Sequence, residues 1–105
     1  MIERHQLGKR IKELRSKKKL TQEKLAERAG LHWKYLGEVE RGIPTISVEN
    51  LNKIAFALDV PLTALLDIET ELSREEMTTE VIKMMNESDS EQVKTIYRIL
   101  TAVVR

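Results

Sequence analysis

The chain has 105 residues, 41% hydrophobic and 33% charged, with 18 Lys+Arg against 17 Asp+Glu for a formal net charge of +1. That length holds one small domain and an appendage rather than a multidomain enzyme, and the absence of Cys excludes a disulfide scaffold. Only four aromatics, four Gly and two Pro accompany many Leu, Ile, Lys and Glu, a composition that favours an all-α chain.

In chain order, Leu7, Ile11 and Leu14 recur at i, i+4 and i+7 and predict a helix over roughly residues 4–18 with basic outer faces. Thr21 is an N-cap for a second helix, with Glu23 in the first turn where the dipole favours a carboxylate. Leu25, Ala26 and Ala29 form its buried side, and Gly30 ends it as a left-handed C′ residue. A third helix runs from about Trp33 to Arg41, with Leu36 and Val39 inward and Gly42 as its stop. Ser47 caps a fourth, whose inward positions are Val48, Leu51, Ile54, Ala55 and Leu58. Pro61 fits the first turn of a short fifth helix carrying Leu62, Leu65 and Leu66. Residues 1–67 are thus expected to form a five-helix domain.

Residues 68–105 are expected to be a helical extension. Ser73-Arg74-Glu75-Glu76 has capping-box spacing ahead of Met77, Val81, Met84 and Met85, and Ser88-Asp89-Ser90 interrupts the pattern. Val93, Ile96, Tyr97, Leu100, Val103 and Val104 then form a regular stripe on a last helix. Such a stripe must be buried somewhere, by packing back on the first domain or in a contact between subunits; the second fits a domain whose five helices already complete a core. The methionines are adaptable enough to meet a regulatory protein instead.

The run Thr21 to Leu31 followed by Trp33 to Gly42 has the spacing of a helix-turn-helix. Ala26 is small where two helices cross, Gly30 allows the turn, and Leu31, Leu36 and Val39 hold the second helix so that its N-terminal half is free to enter a major groove. At this point the chain resembles the Cro/C1-type (phage-repressor-like, Xre) regulators. The resemblance covers Leu7 to Leu66 and rests on Ile11-x-x-Leu14-Arg15, Thr21-Gln22-x-x-Leu25-Ala26-x-x-Ala29-Gly30, Glu40-Arg41-Gly42 and Leu51-x-x-Ile54-Ala55-x-Ala57-Leu58-x-Val60, all in register. It implies a repressor-like domain that binds double-stranded operator DNA as a homodimer. By the same resemblance Gln22 contacts a phosphate and braces the recognition helix, Trp33, Lys34, Gly37 and Glu38 face the groove, and Arg41 meets the backbone. Arg15 and Glu40 are implied to form a partly buried ion pair between helices 1 and 3. His32 stands where the family usually has a Ser or Thr cap.

The residues themselves leave alternatives. Lys34 either donates to guanine O6 and N7, contacts phosphate or is solvated. Trp33 either packs on a thymine methyl or the sugar-phosphate backbone, or closes the core beside Leu31. Tyr35 either donates its hydroxyl to a phosphate or is half-buried with a wet tip. For Glu38 an ion pair with a Lys is favoured over a cytosine contact. Gly37 costs about 1 kcal/mol inside a helix and asks for a close approach to helix 2 or to DNA. Lys17, Lys18 and Lys19, just ahead of Gln22, are phosphate candidates within a basic face.

His5 and His32 are too few and too isolated for a metal site, no cofactor is implied, and no phosphate loop or nucleophile elbow points to an enzyme. The longest uncharged apolar run, residues 54–58, is far short of the ~20 residues of a membrane span, and the Met1-Ile2-Glu3-Arg4-His5 start carries no apolar signal, so a cytoplasmic protein is expected. The near-neutral total conceals an asymmetry. Residues 1–67 hold 13 Lys+Arg and 9 Asp+Glu, a balance of +4, whereas residues 68–105 hold 5 and 8, a balance of −3.

Overall fold

The computed structural model describes residues 4–105; the reading of the Met1-Ile2-Glu3 start lies outside the described residues. Seven helices make up the ordered elements and no strand occurs among the described residues. They divide into two compact units, the first ending at Thr70 and the second spanning Glu71–Arg105.

In the first unit α1 (Arg4–Lys17) ends where Lys19 adopts a left-handed backbone, φ 57°, and the Leu20 N–H closes on the Arg15 carbonyl at 3.1 Å. Helix α2 (Gln22–Ala29) starts on Thr21, whose hydroxyl accepts the Lys24 N–H at 3.0 Å. It stops at Gly30, φ 68°, a conformation that costs a residue without Cβ little. Helix α3 (Trp33–Glu40) follows after two residues, and Ser47 caps α4 (Val48–Ala57) by accepting the Asn50 N–H at 3.1 Å. Pro61 precedes the single turn of α5 (Leu62–Leu65).

The periodic apolar positions converge on one core. Ile11, Leu25, Leu36, Ile54, Leu58 and Leu65 are fully enclosed, with Leu14, Ala26, Val39, Leu51 and Ala55 around them. Each large side chain in this set contributes on the order of 1.5–3 kcal/mol by leaving water. Two expected inward residues are instead exposed: Val48 is the first residue of α4 and Leu66 the C-cap of α5, so both lie at helix ends beyond the buried stretch.

Helix α1 lies against α3 at very short range. A Cβ added to Gly8 would stand 2.3 Å from the Val39 carbonyl oxygen and 2.5 Å from that of Glu40. Likewise a Cβ at Gly42 would meet the His5 Cα at 2.5 Å. Only hydrogen at these two positions lets α1 sit directly on the last turn of α3.

In the second unit, α6 (Arg74–Glu87) and α7 (Ser90–Val104) both begin with capping boxes. Ser73 Oγ accepts the Glu76 N–H at 3.1 Å while the Glu76 carboxylate accepts the Ser73 N–H at 3.2 Å. Asp89 and Gln92 repeat the exchange at 2.8 and 2.9 Å. No residue of either helix is buried. Val93 and Ile96 are half-buried, as is Ile99, whereas Tyr97, Leu100, Val103 and Val104 are exposed. Met77, Val81, Ile82 and Met84 on α6 are exposed too. No helix among the described residues is long and apolar enough to cross a membrane.

Candidate nucleic-acid interface

The centre of the helix-turn-helix is a carboxylate. Glu40, on the last turn of α3, has a side chain only 2% exposed and accepts Arg15 Nε at 2.6 Å on Oε2 and Arg15 Nη2 at 3.0 Å on Oε1. Gln22 Nε2 donates to the same Oε1 at 2.9 Å. The remaining guanidinium edge is occupied as well, since Arg15 Nη1 donates to the Leu20 carbonyl at 2.8 Å. One buried carboxylate therefore joins the end of α1, the start of α2 and the end of α3, with no buried side-chain polar atom left unsatisfied among the described residues. A bidentate Arg–carboxylate pair fixes orientation as well as distance. The helix is thereby anchored at its C-terminal end.

The N-terminal end of α3 is built for exposure. His32 caps it: Nδ1 accepts the Lys34 N–H at 3.1 Å, so an imidazole lone pair does what a Ser or Thr hydroxyl does elsewhere. The His32 ring stacks on Trp33, centroids 5.9 Å apart with planes 24° from parallel, and the Lys34 ammonium lies 5.6 Å from the Trp33 ring centre. Trp33 is 48% exposed and stands outside the hydrophobic core, so it does not close the core beside Leu31. Lys34 is exposed.

Tyr35 is half-buried, and its hydroxyl oxygen accepts Asn50 Nδ2 at 3.1 Å, tying α3 to the first turn of α4. Gly37 has no close backbone neighbour on α2; an added Cβ would find Arg41 Nη1 and Gln22 Oε1 at 3.5 Å, ordinary contact distances. Contrary to the expectation that Gly37 faces the groove, it is buried, with the Arg41 and Gln22 side chains lying over it. Contrary to the sequence expectation, Glu38 makes no ion pair among the described residues. At helical spacing Glu38 has Lys34 four residues before it and Arg41 three after, but the Lys34 ammonium lies 5.6 Å from the Trp33 ring centre and the Arg41 guanidinium lies beside Gly37. Lys17, Lys18 and Lys19 are exposed, with Lys19 at the left-handed bend between α1 and α2.

Arg4 was not singled out by the sequence. From the start of α1 its Nη1 donates to the Ile43 carbonyl at 3.3 Å and to Thr45 Oγ1 at 3.4 Å, which brings a cation to a loop that has none of its own. The only signal would have been a contact across 39 residues, invisible to local pattern. No cluster of three potential metal-ligating side chains occurs among the described residues.

Comparison with known proteins agrees with this architecture. Residues 11–65 match the helix-turn-helix family HTH_3. Over 64 residues, 60% of this chain and 79% of the relative, the sequence is 41% identical to the control protein C.BamHI of Bacillus amyloliquefaciens. It is 39% identical over 70 residues to the immunity repressor protein of Bacillus phage phi105, a match that spans 67% of this chain and 49% of the repressor. Among solved structures, SinR, the master regulator for biofilm formation, in complex with DNA is 39% identical over 58% of this chain and 98% of its own, with TM-score 0.56. The SinR/SinI protein complex is similar over 90% of this chain and 94% of the solved chain, at 30% identity and TM-score 0.58. These relatives are named as a control protein, a repressor and a regulator, and the match over residues 11–65, more than half of the chain, makes it a member of the Cro/C1-type (Xre) helix-turn-helix family.

Proposed function

We propose that the protein is a transcriptional repressor that acts in the cytoplasm as a homodimer, placing the two α3 helices in successive major grooves of a palindromic operator with half-sites about 10 bp apart or a multiple of that. The observation that carries this reading is the asymmetry of α3. Its last turn is locked by the Arg15–Glu40–Gln22 network while its first turn presents Trp33 and Lys34 to solvent. Gln22, Arg41 and the Gly37 surface between them form a flank suited to the sugar-phosphate backbone, Tyr35 keeps a hydroxyl hydrogen for a phosphate oxygen, and Glu38 faces the groove edge. Lys17, Lys18 and Lys19 supply sequence-independent attraction that weakens with salt.

Repression by blocking polymerase access is the mode proposed. Selection from a randomised duplex library with the full chain, followed by affinity measurements across a salt series, tests the reading. Enrichment of a palindrome with a steep salt dependence is expected; no palindrome and a flat salt response would sink it.

The second unit is proposed as the dimerisation arm, through Val93, Ile96, Tyr97, Leu100, Val103 and Val104. Two capped helices without one buried residue leave apolar faces that a second copy would cover. Removal of residues 71–105 is expected to leave a folded, monomeric first unit by analytical ultracentrifugation. A truncated chain that stays dimeric and still binds the selected duplex defeats the arm assignment. A second reading, in which these helices bind a different regulatory protein as in an antitoxin-like module, is favoured by the exposed Met77, Val81 and Met84 face and by the similarity to the SinR/SinI complex.

A further inference from the structure

Trp33 poses a chemical question that operator binding in general does not answer. A tryptophan nearly half exposed, stacked on a histidine and approached by a lysine, gains little where it stands in the free protein. On the major-groove edge of B-DNA the one apolar group is the C5-methyl of thymine, and the densest pair of acceptors is O6 and N7 of guanine. The indole fits the first and the Lys34 ammonium the second. Their separation limits where those bases lie: with 5.6 Å between ammonium and ring centre, and successive bases stacked ~3.4 Å apart, the thymine and the guanine lie one or two steps from each other. Bases three steps apart, ~10 Å, would require the pair to part.

We propose that Trp33 and Lys34 act as one reading unit for a thymine and a guanine within two steps of each other in each half-site, with His32 as a positioning residue that holds the indole plane. The inference rests on α3 entering the major groove as set out above. Lys34 reads by its side chain alone, because its backbone N–H is committed to the His32 Nδ1 cap. His32 therefore has two separable duties, the cap and the stack. The ring contact also disfavours ammonium rotamers that point away from the groove, so part of the ordering cost of Lys34 is met before DNA arrives.

The test uses the full chain and the duplex it enriches from a randomised library. Each thymine is replaced in turn by deoxyuridine, which removes only the methyl, and each guanine by 7-deazaguanine, which removes only N7. For the unmodified protein, one uracil position per half-site is expected to weaken binding about fourfold, the worth of one buried methyl. One deazaguanine within two steps of it is expected to weaken binding on the order of fivefold or more. Trp33→Ala loses the uracil effect and keeps a reduced deazaguanine effect; Lys34→Ala loses the deazaguanine effect. His32→Asn, which retains a good cap, lowers the uracil penalty without lowering the unfolding midpoint. The proposal is overturned if no uracil position matters, if Trp33→Ala remains equally sensitive, or if the sensitive thymine and guanine are three or more steps apart. In each of those cases a palindrome still bound with a steep salt response leaves the repressor reading standing. Failure to enrich any sequence removes both.

Discussion

Replacing Glu40 by alanine withdraws a carboxylate that is 2% exposed from three donors at once. Arg15, itself only 12% exposed, would retain a single acceptor, the Leu20 carbonyl, and the Gln22 amide would lose its partner. Breaking one side of a buried pair costs about 3–5 kcal/mol, because the stranded charge has neither water nor counter-ion. In a unit of this size such a loss lowers the melting temperature by roughly 15–25 °C. The assay is built into the protein: Trp33 is the only tryptophan and lies on α3, so its fluorescence during urea unfolding follows the first unit without interference from α6 and α7. A loss below about 1 kcal/mol, the worth of a surface ion pair, would refute the view that the network is the anchor of the recognition helix. The double substitution Arg15→Met with Glu40→Leu supplies the complementary check. It is expected to recover most of the stability, as apolar replacements of buried pairs do, while affinity for the selected duplex stays low because Gln22 has lost the group that orients it.

Lys34→Ala is expected to reduce discrimination between selected and random duplexes, whereas Lys18→Ala should weaken all DNA about equally and lower the salt slope by about one unit; titrations at several salt concentrations separate the two. Gly8→Ala drives a methyl into the Val39 and Glu40 carbonyls and should cost on the order of 1–3 kcal/mol, read from the urea midpoint. Gly37→Ala meets only side-chain ends at 3.5 Å, so helix propensity should win and raise stability by about 0.5–1 kcal/mol, with weaker binding of the selected duplex marking the DNA side of that surface. A fall in stability instead would show that α2 and α3 cannot tolerate the extra methyl.

Features carried by neighbouring residues were legible in the sequence. The Thr21, Ser47 and Ser73 caps and the Gly30 stop depend on bonds spanning a few positions, and the structure contains them. The apolar period fixed most of the core for the same reason. What escaped was set by distant partners or by unusual chemistry. Gly8 reads as an ordinary blemish in α1 until α3 arrives from thirty residues away. Arg4 on the Ile43–Thr45 loop and Asn50 on Tyr35 are long-range in the same sense. His32 was set apart from the family's Ser or Thr cap, yet its unprotonated nitrogen accepts the same N–H. Phe56, 88% exposed on α4, and Ile99, half-buried on α7, were not placed by periodicity, because a stripe tells which face is apolar but not where along it the contact ends. The expected partner for Glu38 failed because the two basic residues at helical spacing are engaged elsewhere, Lys34 at the Trp33 ring and Arg41 beside Gly37.

Apart from Tyr35, which is both half-buried and wet, the residues that hold α3 differ from the residues that α3 displays. Leu36, Val39 and Glu40 are buried against the scaffold, while Trp33 and Lys34 are exposed and Glu38 is half-buried without an ion pair among the described residues. Such a division lets drift at the displayed positions explore new target sequences at nearly constant stability, so one scaffold can diverge into regulators with separate targets. On the proposed reading, retargeting becomes a problem of a few exposed side chains and not of a fold.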